Sequence, residues 1–471
     1  MNNTTSKLYS SIFMSTGKYM VIKNIFMVVT AALGILIVRY LGPYEYGKYS
    51  LVWQLIGTIG PILSLGWLTT LSRFIPEKNT TEEKANIFSQ SLFSVMFVGL
   101  IAGTGFLLVS SLFPNIIPIE IREIKIYFII FIVITALFNI SEGMYRGLGK
   151  FNRFSIIDGL RSNFGSILAI VLVIYGFRTF KTIVFSNFAF SAIFITAILI
   201  FLKDYIRKPS IKVDPLIAKF SLTLFVGQIL FLLMTSIDFV LLRALLKDPS
   251  QIGFYNAGIK IPNLIQTALI TPLSIPFLYY FSHPDVLQTR EKMLETGTRL
   301  LGVIFGCVAL LIFSFSKEAI LLLLGKNYIE SIQVLRFSAL SLFIIGYVTL
   351  FAPYFTSINK PGRLLLTQCV TFTSILLSNL LLIPVLKSVG PTIGGLIGLF
   401  IQTIILLLIL PYNRKQCLYT FTLLSFTLAV SVATGFFISY YLTVPVYLIL
   451  VYTTKTLTIN DIKTLKGLLV K

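Results

Sequence analysis

Hydrophobic runs of about twenty residues follow one another along almost the whole chain, separated by short connections that hold most of the charges. A run of that length is what an α-helix needs to cross a hydrocarbon core roughly 30 Å thick at ~1.5 Å per residue. Inside that core the backbone must satisfy its own hydrogen bonds, and helices do so within a single segment. Composition agrees. Of 471 residues, 56% are hydrophobic and 12% are charged, against roughly 25% charged in a soluble domain. The chain therefore reads as an all-α integral membrane protein. Spans fall near 20–41, 49–71, 87–113, 124–143, 155–175, 182–202, 217–242, 254–281, 299–315, 332–357, 364–386, 391–411, 418–434 and 437–453, about fourteen in all. The last connection, around Gly435, has no charged residue, so those letters are also compatible with one bent or re-entrant segment. Pro61 in the second span and Pro262, Pro272 and Pro276 in the eighth mark two spans expected to kink.

The formal net charge is +21. In a soluble chain that balance points to nucleic acid, but in a membrane protein Lys and Arg collect in cytoplasmic loops. With the N-terminus inside, the loops and tails on that side carry about 24 basic residues against about 11 opposite. Topology and attraction to anionic lipid headgroups thus account for most of the charge, and no nucleic-acid partner is expected. The polar start, MNNTTSKLYSSIFMSTGK, lacks the short apolar core and small-residue cleavage site of a removable signal. The first run is expected to stay as a span, with both termini cytoplasmic.

An internal repeat organises the chain. Pro43, Gly47 and Tyr49 in GPYEYGKYS recur as Pro249, Gly253 and Tyr255 in DPSQIGFYN, 206 positions later. Lys150 and Arg153 in GKFNR recur as Lys360 and Arg363 in NKPGR, 210 positions later. Two loop motifs at nearly one offset imply a six-helix unit used twice in parallel orientation, with two helices appended. The expected division is a first lobe over 1–202, an interlobe linker over 203–219, a second lobe over 220–411, and two further helices with a tail over 412–471.

Chemistry is scarce. Cys307, Cys369 and Cys417 stand far apart with one histidine, His283, so neither a disulfide framework nor a metal site is expected. No phosphate-binding loop and no nucleophile with a base appears, which argues against an enzyme and against any cofactor. The informative groups are ionisable residues inside spans, where burial in lipid is costly. They are Lys23, Arg161, Lys260 and Arg336 on the basic side, and Asp158, Asp238 and the marginal Glu142 on the acidic side. Asp158 and Arg161 are three apart and share a helix face. They form either a structural pair or an ion pair whose arginine is released to an anion. Lys23 and Lys260 have no carboxylate three or four residues away, so each either lines a hydrated cavity or pairs across helices with Asp238. Arg39 and Arg243 sit at span ends, where they can snorkel as interface anchors. The set is net positive and suits a phosphate-bearing cargo more than a cationic drug. Lys23, Arg161, Lys260 and Arg336 are the candidates for substrate, with Asp158 and Asp238 as counter-ions or coupling carboxylates.

VRYLGPYEYGKYSLVWQLIGTIGPILSLGWLTTLSRFIPE, EGMYRGLGKFNRFS, LLGKNYIESIQVLRFSAL and the tail LTINDIKTLKGLLVK resemble the polysaccharide transporter family of lipid-linked oligosaccharide flippases. That family belongs to the multidrug/oligosaccharidyl-lipid/polysaccharide exporter superfamily. The resemblance implies two six-helix lobes in a V, two extra helices, and residence in the inner membrane. It implies translocation of an undecaprenyl-pyrophosphate-linked repeat unit by rocking of the lobes, for O-antigen, capsule or exopolysaccharide synthesis. The partners would be that lipid-linked oligosaccharide, membrane lipids and a polysaccharide polymerase. Two other readings fit the same letters less fully: a peptidoglycan-precursor flippase, and a cation-coupled multidrug antiporter with twelve spans. A membrane-embedded glycosyltransferase would need a long extramembrane loop, and no connection here exceeds about 20 residues.

Overall fold

The computed structural model describes residues 24–207, 215–270, 290–358, 361–411 and 413–454, with 22, 273, 277, 281 and 456 as single positions. Lys23, residues 208–214 of the expected linker, Pro272, Pro276, His283, Lys360 and the tail beyond 456 lie outside the described residues. Among the described residues every regular element is a helix. The chain divides into two compact units, Met1–Arg243 with Asp248–Gly253, and Ala244–Lys247 with Phe254–Lys471.

The first unit contains α1 (Asn24–Leu41), α2 (Pro43–Leu63), α3 (Trp67–Phe74), α4 (Thr81–Leu112), the single turn α5 (Ile119–Arg122), α6 (Lys125–Gly147), α7 (Phe151–Ile174), α8 (Phe180–Phe201) and α9 (Pro215–Leu245). The motif GPYEYGKYS, expected as a loop, is instead the start of α2: Pro43 occupies the first turn, where its missing N–H costs nothing and its fixed φ favours the helix. Thr80 caps α4 with Glu83 in a reciprocal capping box. The second expected span is broken. Leu65 and Gly66 adopt φ of 53° and 77°, and α2 and α3 bend by 47° across the break. The break frees a carbonyl inside the apolar run, and the Ser221 hydroxyl of α9 donates to Leu65 O at 2.6 Å, which is how interrupted membrane helices are tolerated.

α6 is the centre of this unit's core. Phe128, Phe131, Ile140 and Met144 are buried together with Trp67 and Phe74 of α3 and Phe88 of α4. Glycines let the backbones close. A Cβ on Gly143 would stand 2.6 Å from the carbonyl oxygen of Leu68, and one on Gly60 would stand 2.6 Å from the Thr135 side chain. Small residues at such crossings replace the hydrophobic drive that lipid removes.

The second unit contains all but the start of α10 (Pro249–Ile265), then α11 (Arg290–Ser314), α12 (Ser316–Leu323), α13 (Ser331–Ser357), α14 (Pro361–Leu386), α15 (Gly390–Leu408), α16 (Arg414–Phe437) and α17 (Thr443–Thr453). DPSQIGFYN is again a helix start, with Pro249 in the first turn of α10. After Pro262 the helix widens into a π turn over Gln266–Ile270, the irregularity expected of a proline-bearing span. α14 and α15 form a hairpin: Gly398 packs on Ile375, Gly394 on Asn379 and Gly390 on Ile383. The C-terminal helices are built into the core of this unit. Phe421 of α16 meets Tyr347 edge-on at 5.0 Å between ring centres, and Tyr447 of α17 packs against Gly306 of α11, donating to Gly302 O at 3.1 Å.

Among the described residues nine helical segments are long and apolar enough to cross a membrane, or ten with the bent pair α2 and α3 as one span. One of the nine, Gly362–Leu408, is the α14–α15 hairpin, because its glycine contacts pair residues on either side of Lys387–Val389. The chain is a multi-pass membrane protein. Its last expected span is shorter than its neighbours: α17 has 11 residues, about half the rise needed to cross the core.

Candidate functional site

The i,i+3 spacing on α7 brings Asp158 and Arg161 together. Arg161 Nε and Nη2 donate to Asp158 Oδ1 at 3.0 and 2.7 Å. Its Nη1 donates to the buried Ser191 of α8 at 3.0 Å, and its guanidinium carbon lies 4.6 Å from the centre of the Phe138 ring on α6. Three helices thus aim one arginine about 15 Å from the start of α7, near the middle of a span. The Asp158 side chain is 47% exposed and that of Arg161 21%. The carboxylate is the open side of the pair, and its second oxygen makes no hydrogen bond among the described residues. An arginine held from behind and neutralised by one exchangeable carboxylate oxygen can take phosphate oxygens in its place.

α1 runs alongside this cluster. Phe26 covers Gly159, where a Cβ would overlap the ring, and one turn on Thr30 donates to Asn163 Oδ1 at 2.6 Å. A second polar cluster joins α2 to α9. Gln54 Nε2 donates to Thr235 O and Ser236 Oγ at 3.2 and 3.1 Å, and Ser236 and Thr58 share a short hydroxyl hydrogen bond. A third joins α5 to the end of α9, where Arg243 reaches Glu120 at 3.0 Å. Glu120 is 1% exposed, so Arg243 is one half of a buried ion pair and not the snorkelling anchor expected for it.

The structure therefore gathers only part of the expected set. Asp158 and Arg161 form one site. Asp238 lies partly buried on α9 and is not a partner of Arg161. Glu142 pairs within its own helix with Arg146. Lys260 and Arg336 belong to the second unit. Lys260 is partly buried on α10. Arg336, expected in a cavity lining, is enclosed instead at 6% exposure. Its Nε donates to Ser316 at 2.9 Å and its guanidinium stacks 3.7 Å from the Tyr440 ring centre. Reading for ionisable groups within spans passed over the neutral Gln54, Thr58 and Ser236, and over Glu120, whose signal was a carboxylate between Ile119 and Ile121.

An apolar groove of about 540 Å³ opens between α13, α15 and α16. Phe343, Leu396, Phe400, Leu428 and Phe436 line it, and Ser425 is its one polar side chain. Among the described residues no three His, Cys, Asp or Glu side chains come together as metal ligands would.

Comparison with known proteins defines the class first. The fold matches that of the lipid II flippase MurJ in an inward closed conformation with a TM-score of 0.69, at 15% identity over 92% of this chain and 97% of that one. It matches an inward-facing multidrug resistance MATE family transporter of the MOP superfamily at 0.64, with 17% identity over 87% and 99%. It also matches a MOP superfamily transporter from Pyrococcus furiosus, whose reported reverse pocket polarity suggests a different function, at 0.56, with 17% identity over 88% and 95%. The chain shares the fold of these membrane transporters. Residues 10–280 match the family described as polysaccharide biosynthesis protein, and the chain belongs to that family. No curated protein matches the sequence at a significant level.

Proposed function

We propose that the chain is a flippase that moves an undecaprenyl-pyrophosphate-linked oligosaccharide across the cytoplasmic membrane, both termini on the cytoplasmic side, for O-antigen, capsule or exopolysaccharide synthesis. The observation that carries this reading is Arg161, fixed near mid-span by Ser191 and Phe138 and paired with a half-exposed carboxylate. In a low-dielectric span such a guanidinium is retained at a cost that an anionic cargo offsets. Lys260 and Lys23 extend the cationic path, and Asp158 and Asp238 serve as counter-ions or coupling groups. Arg336 holds α12, α13 and the turn before α17 together and does not meet the head group in this conformation. The groove between α13, α15 and α16 supports a cargo with a long apolar tail, since a prenyl chain gains roughly 0.8 kcal/mol for each CH₂ it buries.

The two six-helix halves act by alternating access, and rocking carries the head group without chemical change. A lipid II cargo would need the same pyrophosphate path and differs in its sugars. A cationic drug would call for the opposite pocket polarity. The test is to replace Lys23, Arg161 and Lys260 singly by Ala and by the other basic residue in the native host. Surface polysaccharide should fall and cytoplasm-facing lipid-linked units should accumulate in the alanine variants, with partial rescue by the basic ones. Normal polymer in all three alanine variants would end the proposal. A polysaccharide polymerase acting on the product outside is the partner this reading calls for.

A further inference from the structure

Viewed down α2, successive residues are 100° apart, so Trp53 and Gln54 flank an arc whose centre, one turn on, is Gly57. Trp53 packs edge-on against Phe131 of α6 and tilted against Tyr49, 5.8 and 5.7 Å between ring centres, and keeps part of its indole open. Trp53 is 36% exposed. A Cβ on Gly57 would meet no atom within 4 Å. Gln54 is fixed through its NH₂ group by Thr235 O and Ser236 Oγ of α9, which leaves its amide oxygen without a partner among the described residues. Thr235 is itself exposed beside it. Ser236 is buried and shares its hydroxyl with Thr58, so the amide is held from behind by a polar pair.

Trp53 is four residues inside the span expected over 49–71, about 6 Å along the helix. Tryptophan at that level suits a membrane interface, but an open amide oxygen facing acyl chains forfeits a hydrogen bond at a cost of about 1–3 kcal/mol. An exposed indole, an open acceptor, a hydroxyl and a glycine gap together are ill suited to lipid. They fit a ligand with an apolar ring face and hydroxyl donors at its rim, which is the chemistry of a pyranose.

We propose that Trp53, Gln54 and Gly57 of α2, with Thr235 of α9, form a ledge that receives a sugar ring of the cargo. The indole stacks on the ring's C–H face, Gln54 Oε1 accepts from a hydroxyl, and Gly57 leaves room for the ring to approach the backbone. Aromatic faces stack on many sugars, whereas an oriented amide discriminates by hydroxyl placement, because a misplaced hydroxyl leaves it unpaired. The proposal rests on the flippase reading for the identity of its cargo.

The chain has two tryptophans, Trp53 and Trp67, and Trp67 is buried at 5% exposure. A Trp67→Phe full-length protein in nanodiscs therefore reports on Trp53 alone. Acrylamide in solution should quench its fluorescence, and phospholipids brominated in their acyl chains should leave it nearly unchanged. The reverse pattern would put Trp53 against lipid and overturn the ledge whatever the protein transports. Next, farnesyl pyrophosphate carrying N-acetylglucosamine should shield Trp53 from acrylamide, and sugar-free farnesyl pyrophosphate should bind without shielding. Gln54→Leu, which keeps the side chain's volume, should weaken the sugar-bearing probe about tenfold and the sugar-free one less than twofold. Equal shielding by both probes would overturn the ledge while leaving the flippase reading intact. Binding by neither would overturn both.

Discussion

Gly47 and Gly253 meet backbone to backbone, each lodged against the proline that opens the other's helix. A Cβ added to Gly47 would overlap the carbonyl of Pro249, and one added to Gly253 would overlap the carbonyl of Pro43. These four residues belong to the repeat recognised in the sequence 206 positions apart, and the contact is reciprocal. Both sides of the crossing, Gly47 and Asp248–Gly253, belong to the first unit.

Gly47→Ala and Gly253→Ala should therefore each lower the thermal midpoint in detergent, by an amount matching the roughly 1–3 kcal/mol of an overpacked site. Gly105→Ala on α4, where nothing lies within 4 Å of the added Cβ, should be neutral or slightly stabilising, as Ala replaces Gly in a helix. Equal effects at Gly47 and Gly105 would show that the crossing is not close-packed in the membrane.

The Glu120–Arg243 pair makes a second prediction. With Glu120 buried, Arg243→Met should cost about 3–5 kcal/mol by leaving a carboxylate without its cation. Pairing it with Glu120→Leu should recover most of that loss, because a buried pair replaced as a whole is often close to neutral. The thermal midpoints of the two single variants and the double variant test this coupling.

A pH dependence follows at Glu318, in the first turn of α12 and outside the spans. The Tyr441 hydroxyl donates to Glu318 at 2.7 Å and holds that carboxyl below its ordinary range, with Lys317 and Arg336 adding to the effect. A lowered folded value means the contribution is present above the unfolded glutamate value and is lost as pH falls through the folded one. The stability gap between wild type and Tyr441→Phe should be constant near neutrality and close on acidification. A gap that widened in acid would contradict the assignment.

Asp158→Asn tests the exchange step at Arg161. Ser191 and Phe138 still aim the guanidinium, but it no longer has a carboxylate to leave. A pyrophosphate head group should bind several-fold more tightly and turn over more slowly, since the counter-ion that displaces it on release is gone. Unchanged affinity for a farnesyl pyrophosphate probe would make the pair structural only.

Much of this fold was legible because lipid imposes one dominant rule, and a run of apolar letters states it directly. The limits of spans were less legible. GPYEYGKYS and DPSQIGFYN look like loops because they are rich in polar and turn-forming residues, yet proline in a first turn starts a helix. The break at Leu65 follows Pro61 in the last turn of α2, which the sequence shows, but the partner of its freed carbonyl is Ser221, a residue 156 positions away. At the site, Asp158 and Arg161 could be paired because the contact is local to one helix. Ser191, Phe138, the Gln54–Ser236 contact and the enclosure of Arg336 by Tyr440 are long-range, and no spacing encodes them. The charge of Arg336 is visible in the letters, whereas its burial against Ser316 and Tyr440 is visible only in the fold.

The central claim is that this chain moves a pyrophosphate-linked sugar lipid along a path that includes Arg161. It is tested most directly with purified protein in liposomes carrying a fluorescent prenyl-pyrophosphate N-acetylglucosamine, whose inner-leaflet pool is chased to the outer leaflet and read by a membrane-impermeant quencher. The account predicts transfer well above protein-free liposomes, at least tenfold slower with Arg161→Ala and partly restored with Arg161→Lys. Transfer no faster than in protein-free liposomes, or an alanine variant as fast as wild type, would contradict it.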